Sequence, residues 1–532
     1  MDSFQIPYKK TNYFSKMILD YLEEKKSVQS FYHRFPSLDN FSAQIEEKTE
    51  GFPFENRKVL VDALTHQYKN TSTGELTQQH LDKLLLPNTF TITTGHQLNL
   101  FSGPIYFLYK IVSVINLCKE LQEKYPNQNF VPIYWMASED HDLEEIQYFN
   151  FKNKKIFWEK ESGGAVGKMS TDGLEDVYQK FSALLNTGVQ AQELRDLFKK
   201  SYVAHTNLAD ATRYLVNALF GTYGLVVLDG DDQQLKNLFK PYALKELKEQ
   251  VSHKEVTKTG EHLRAQSYPQ QVHPREINLF YSGHNFRERI IKTNEGYKVQ
   301  NRALSFSSPE NIFEHLENSN DTVSGNALLR PLYQEVILPN LCYVGGGGEL
   351  SYWMQLKSTF KAFEVPFPML LLRNSALLIT EKQHKKLNKL EVSVEDLFLS
   401  QNQLIVEKVK EKSDIHFDFN AKRKQLKESF KSLEQIALQT DPSFMGAVKA
   451  QEKKQLKGLD HLEKRLLKAE KKKMYDLVTR IEIIQNDLFP NQSLEERYRN
   501  FSEYYEYYGK DLLSTLFKTL NPLALEFTVI ID

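Results

Sequence analysis

A series of short apolar runs, each ending in glycine or acidic residues and followed by a helical pattern, constrains this chain more than any other feature. TFTITTG breaks at Gly95, and after Gly103 and Pro104 comes IYFLYKIVSVINLCKELQEKY, whose apolar residues recur at spacings of three and four. NFVPIYWMASEDHD is a second apolar run that ends in ionisable residues, GLVVLDGDDQQLKNLFK a third, and LCYVGGGGELSYWMQLKSTFKAF a fourth that leads into PFPMLLLRNS. Strand, loop, helix and strand in repeated order imply parallel strands joined by helical crossovers. The spacing therefore predicts an α/β fold, a Rossmann-type doubly wound parallel sheet, with ligands held at the carboxyl ends of its strands.

Other segments are attached to that core. Asn12 to about Leu85 reads as short helices, Asp172 to Phe220 as a helical insertion, and NLFYSGHNFRERIIKTNEGYKV as a β-rich one. After about Thr380 the chain turns to long charged helices nearly free of glycine. There Met474, Leu477, Ile481, Ile484 and Leu488 step by three and four, matched by an earlier stretch at Leu426, Phe430 and Leu433. QTDPSFMGA between them carries the proline and glycine of a hairpin turn, so a C-terminal α-helical antiparallel coiled coil is expected, the two stretches forming its seam. The expected organisation is a catalytic core over 1–378 with insertions at about 150–222 and 255–325, a coiled-coil domain over 379–495, and a C-terminal helix over 496–532 that packs back on the core.

Composition narrows the function classes. Lys and Arg number 68 against 69 Asp and Glu, so no global field draws the chain to nucleic acid or to an anionic membrane, and any anion site is local. Cys118 and Cys342 are the only cysteines, which argues against a disulfide framework and a thiolate-rich zinc site and fits a reducing cytoplasm. No signal-peptide pattern and no run of eighteen apolar residues occurs, so a cytoplasmic location is expected.

Three strand-end clusters could carry chemistry. TTGHQLNLFSGP places Gly95, His96, Gln97, Asn99, Ser102 and Gly103 where backbone N–H groups meet an anion, although its glycines match neither a dinucleotide fingerprint nor a P-loop. WMASEDHD offers Glu139, Asp140, His141 and Asp142, of which Asp140, His141 and Asp142 are the candidate catalytic residues, suited to deprotonating or orienting an amine. Adjacent residues of an extended strand face opposite ways, so these side chains serve one site only where the strand has turned into a loop. No tight metal-ligand spacing accompanies them, and no metal is assigned. CYVGGGGELSYW brings Gly346, Gly347, Glu349, Tyr352 and Trp353 to a third strand end, and Arg330 and Arg373 are candidate clamps for a carboxylate or phosphate.

TTGHQLNLFSGPIYFLYK, IYWMASEDHDLEE, NLCYVGGGGELSYW and NQSLEERYRNF, in that order, resemble the marker segments of the bacillithiol biosynthesis cysteine-adding enzymes. The resemblance runs essentially end to end. It implies a Rossmann-type core, a C-terminal coiled coil, a homodimer, and a ligase that condenses cysteine with the amine of glucosaminyl-malate in the last step to bacillithiol. It also implies glutamine at position 96, where this chain has histidine. Amide formation from a carboxylate is uphill, so ATP or another nucleotide is expected as cosubstrate, with no tightly bound cofactor. The alternatives are a nucleotidyl or glycosyl transferase on the same core, or a non-catalytic coiled-coil scaffold.

Overall fold

The computed structural model describes residues 2–161, 163–319 and 321–532. It divides into two compact units: the first takes the N-terminal residues through Lys9, Tyr13–Leu377 and Glu496–Ile530, and the second takes Lys10–Asn12, Leu378–Glu495 and the last two residues.

The first unit is built on five parallel strands, β1 (Thr89–His96), β2 (Asn129–Met136), β3 (Val226–Asp229), β4 (Asn340–Gly345) and β5 (Met369–Leu372), in the order β5-β4-β1-β2-β3. Strands β1 to β3 run outward on one side, and the chain then returns to lay β4 and β5 on the other side of β1. The reversal point of the sheet thus falls between β1 and β4, where an open α/β sheet leaves a crevice. Every residue of β1 is buried. Its threonines need partners there, and Thr91 and Thr93 donate to Asn340 Oδ1 (3.3 and 2.8 Å) while Thr94 donates to the Val344 carbonyl (2.7 Å). Each of these bonds ties β1 to β4, so the crevice has a rigid floor. Helix α1 (Tyr106–Lys124) crosses from β1 to β2 with Val114, Leu117, Cys118 and Leu121 in the same core as Ile92, Leu341 and Leu371.

The β-rich insertion forms an antiparallel sheet in which Leu279–Gly283 lies between Thr322–Gly325 and Phe286–Thr293. Directly after it, α2 (Arg330–Ile337) leads into β4, and α3 (Gly347–Trp353) follows β4.

The second unit is helical: α4 (Glu381–Leu390), α5 (Gln401–Lys412), α6 (Asn420–Ala437), α7 (Pro442–Lys473) and α8 (Tyr475–Leu488). Helices α6 and α7 form the antiparallel pair, turned at Asp441, whose side chain accepts from Ser443 N (2.9 Å) ahead of Pro442 in the first turn. Phe430, Ala437 and Val448 are its buried seam, with Leu426 and Met445 beside them. One expectation is corrected here. The stripe from Met474 to Leu488 does not pair with Leu426–Leu433, because the helix breaks at Met474 (φ −95°, ψ 33°) and α8 packs instead on α4 and α5. Ile481, Ile484 and Leu488 are buried there, and Gln485 donates to the carbonyls of Leu397 and Leu399 (3.1 and 2.9 Å). A period identifies an apolar stripe and says nothing of its partner.

Candidate active site

At the carboxyl ends of β1, β2 and β4 a cavity of about 230 Å³ opens, lined by residues of every cluster singled out in the sequence. From β1 come Gly95, His96 and Gln97, from the end of β2 Glu139 and Asp140, and from the end of β4 Glu349 and Tyr352, with Arg330 reaching in from α2.

Lys110, on the first turns of α1, holds the crevice together. Its Nζ donates to the Gly95 carbonyl (2.7 Å) and to Glu349 Oε1 (2.6 Å), while Glu349 Oε2 accepts from the Gly346 amide (2.8 Å). Burial lowers the Lys110 pKa. One cation thereby bridges the end of β1 to the helix after β4, across the reversal point. Gly95 is glycine for room: a Cβ there would lie 3.2 Å from the Tyr343 hydroxyl and 3.7 Å from Arg330 Nη1. Of the four glycines that close β4 and follow it, Gly345 is the crowded one, a Cβ meeting Tyr343 at 2.9 Å and Glu349 Oε2 at 3.0 Å, whereas at Gly348 it would meet nothing within 4 Å.

Arg330 lies among three aromatic rings, its guanidinium 5.8 Å from Trp135, 5.8 Å from Tyr343 and 5.9 Å from Trp353. It donates to Gln334 (3.1 Å) and makes no ion pair among the described residues; burial opposes its charge, and the neighbouring Tyr352, Tyr343 and Glu349 more than offset that and raise its pKa. A cation on the wall of a cavity without a carboxylate of its own is suited to an anionic ligand group. Arg373 differs: it is buried, ion-paired to Glu496 (2.7 Å), and donates to Asn374 O (2.8 Å) and Ser375 Oγ (3.1 Å). Its guanidinium lies 4.8 Å from the ring of Tyr106, which lines the cavity.

The acidic cluster is divided by the turn at the end of β2. Glu139 and Asp140 line the cavity. Glu139 pairs with buried Lys236 (2.8 Å), and burial pushes its carboxyl pKa upward. His141 meets Arg287, which reaches over from the inserted sheet and donates through Nη1 to His141 Nδ1 (3.0 Å), through Nε to Ser324 (3.1 Å) and through Nη2 to the Gly325 carbonyl (3.0 Å). A guanidinium only donates, so Nδ1 accepts and the ring proton sits on Nε2. Burial, and then the Arg287 charge, lower the His141 pKa and keep the ring neutral. Asp142 is exposed at the start of a short helical turn, Leu143–Ile146.

His96 is enclosed between Tyr106 and Phe107, ring centroids at 5.3 and 5.0 Å, and its Nε2 has no hydrogen-bond partner among the described residues. Burial, reinforced by the charges of Lys110 and Arg373, holds its pKa well below the ordinary value. Asn99 faces a neighbouring cavity, while Ser102 and Gly103 belong to a loop in which Phe101, Ser102 and Gly103 all have left-handed backbone (φ 48°, 68° and 62°). Gly346 and Gly347 are outside the first cavity, Gly347 against Ile18, and Trp353 lies behind it, stacked on Tyr343 at 4.3 Å. Sequence reasoning assigned nothing to Lys110, Tyr106, Trp135, Lys236, Arg287 or Asn326. Lys110 lies in the motif after TTGH and was open to notice, but Arg287 and Asn326 come from the insertion with no local signal. Among the described residues no group of three or more His, Cys, Asp or Glu side chains could hold a metal ion, and no helix is long and apolar enough to cross a membrane.

Comparison with known proteins agrees with this architecture. Residues 1–374 match the family model described as bacillithiol biosynthesis BshC, N-terminal Rossmann-like domain, and residues 376–531 match the C-terminal coiled-coil domain of the same family. Relatives named "Putative cysteine ligase BshC" include one from Flavobacterium psychrophilum, 55% identical over 99% of this chain and 98% of its own length. Another, from Christiangramia forsetii, is 52% identical over 99% of this chain and 98% of its own length. One from Bacillus cereus is 27% identical over 93% and 94%. With both domain models matched in order and relatives aligned nearly end to end, the chain belongs to the bacillithiol biosynthesis BshC family.

Proposed function

We propose that this protein forms the amide between the carboxylate of L-cysteine and the glucosamine amine of glucosaminyl-malate, the last step of bacillithiol synthesis. The observation that carries the reading is one cavity that joins an anion anchor without a carboxylate of its own, Arg330, to two carboxylates at the end of β2, Glu139 and Asp140. Arg330 receives the negative charge of the carboxyl component. Asp140 accepts a proton from the sugar ammonium, which cannot attack until it is neutral, and Glu139, anchored on Lys236, orients that amine beside it. His141, engaged by Arg287, fixes the wall through which the inserted sheet meets the site. ATP or another nucleotide is the expected source of the leaving group on the cysteine carboxylate. The relatives' name, cysteine ligase, supports the same class of reaction.

Asp140→Asn is the direct test. A general base contributes about 100- to 10,000-fold in rate, so bacillithiol formation should fall by that factor while cysteine binding measured by calorimetry persists. Near wild-type turnover in a normally folded variant removes Asp140 from the mechanism. Free cysteine left unconsumed by the wild-type enzyme would favour a nucleotidyl or glycosyl transferase instead. A homodimer through the coiled coil belongs to the same proposal, supported by exposed Ile436, Leu438 and Phe444 around the α6–α7 turn. Light scattering from a monomer at micromolar concentration would overturn that part.

A further inference from the structure

NQSLEERYRNF lies about 350 residues beyond the strand-end cluster of β2 and about 390 beyond that of β1, and it has no part in the chemistry above, yet the fold threads it into the site. Asn500 Nδ2 donates to the carbonyls of Phe101 and Gly103 (2.7 and 2.6 Å), and the Arg499 carbonyl accepts from the Ile105 amide (2.8 Å). Asn150 completes the seam, donating to the Tyr498 carbonyl (3.2 Å) and accepting from the Asn500 amide (3.2 Å). These bonds place Arg497 on the wall of a second cavity, of about 350 Å³, which shares Gln97 and Tyr106 with the first.

The arginines of this region are not equivalent. Arg373 is paired with Glu496 (2.7 Å) and Arg499 with Glu503 (2.8 Å), whereas Arg497 has no ion-pair partner among the described residues. The same cavity holds acceptors for hydroxyl groups. Among the described residues Asn99 Oδ1 is buried without a partner, its Nδ2 being engaged by the Glu145 carbonyl (3.3 Å), and the Glu145 carboxylate accepts from the shared Gln97 (2.9 Å). An exposed arginine without an ion-pair partner among the described residues, an orphaned acceptor and continuity with the site of amine activation describe one kind of ligand: a hydroxylated body that reaches from the first cavity and ends in an anion.

We infer that this second cavity is the subsite for the anionic arm of the acceptor. The amine lies at Asp140, the sugar hydroxyls pass Gln97, Asn99 and Glu145, and a carboxylate of the arm rests on Arg497. The inference rests on the proposed function for the identity of the acceptor, and it assigns Arg330 to the other substrate.

The test compares Arg497→Met and Arg497→Lys with wild type in the full-length protein. Loss of a charge-assisted contact should raise KM for the malyl-bearing acceptor about 10- to 100-fold with kcat and the KM for cysteine unmoved, and lysine should restore part of it. The same amino sugar without the malyl arm should react poorly with wild type and no worse with Arg497→Met. An equal penalty on both acceptors overturns the subsite. So does a rise confined to the KM of the nucleotide, which would give Arg497 to a phosphate. Calorimetry with the malyl-bearing acceptor alone separates this inference from the ligase reading. Binding that weakens in Arg497→Met supports the subsite even where no cysteine is coupled, and binding that does not change refutes it.

Discussion

Among the described residues, ion pairs with both side chains buried belong to one of the two units. The Rossmann-like unit has surface ion pairs, such as Lys248 with Glu310, but it also has fully interior ones: Lys48 with Glu335 (3.0 Å; side chains 1% and 0% exposed) and Arg373 with Glu496 (2.7 Å; 4% and 0%). In the helical unit at least one member of each pair among the described residues reaches solvent, as with Lys385 and Glu381 (2.6 Å; 66% and 64% exposed) or Arg423 with Asp460 (2.8 Å) and Glu463. A buried pair is held less for net stability than because removing one member strands the other in low dielectric. An exposed pair is screened by water and chiefly keeps a helix surface soluble. The difference teaches that the first unit has committed buried polar groups to fixed positions around the crevice, while the second is organised by apolar seams and tolerates change on its surface.

That contrast can be broken experimentally. The largest effect is expected for Glu496→Ala, which leaves Arg373 buried without its carboxylate and removes the acceptor of the Ala376 amide (3.0 Å). A loss of about 3–5 kcal/mol in denaturant unfolding is expected, and a loss below about 1 kcal/mol would place this pair with the surface pairs. Next comes His96→Gln. The folded-state pKa of His96 is depressed, so the unfolded chain binds its proton first and stability falls as pH drops below the ordinary value of 6.5. Wild type should lose about 1.4 kcal/mol per pH unit from this group over that window, and the variant should lack that component. Identical slopes for the two proteins between pH 7 and 5 would show that the ring is hydrated. The smallest effect is expected for Arg423→Ala, whose unfolding midpoint should match wild type. A clear drop would mean that the α6–α7 pair depends on its charges.

What could be read in the sequence follows from the same physics. The strands β1 to β4 and their terminal clusters were legible because strand, turn and ligand-facing residues are contiguous there, as in TTGHQ and ASEDHD. Arg287, Lys236 and Arg497 were not, because each reaches its position through tertiary folding, Arg287 meeting a histidine 146 residues away. The rule about strand faces did not decide the acidic cluster, because β2 ends at Met136 and all four residues lie in the turn beyond it, where the path of the turn determines which of them stay in the cavity. The stripe at Met474–Leu488 shows the converse. Its period was correct and its partner was not, since α8 reorients after a helix break that no glycine or proline announces.

The clasp of Asn500 on the loop after β1 has a consequence for the order in which the molecule is completed. Phe101, Ser102 and Gly103 adopt backbone that costs energy outside its native setting, and the side chain that holds their carbonyls lies 399 and 397 residues further along the chain. A ribosome adding roughly 5–20 residues per second would take about 20–80 s to cover that distance. Strand β5 ends at Leu372, well ahead of Asn500, so the five strands can pair while the loop at the mouth of the crevice still lacks its clasp.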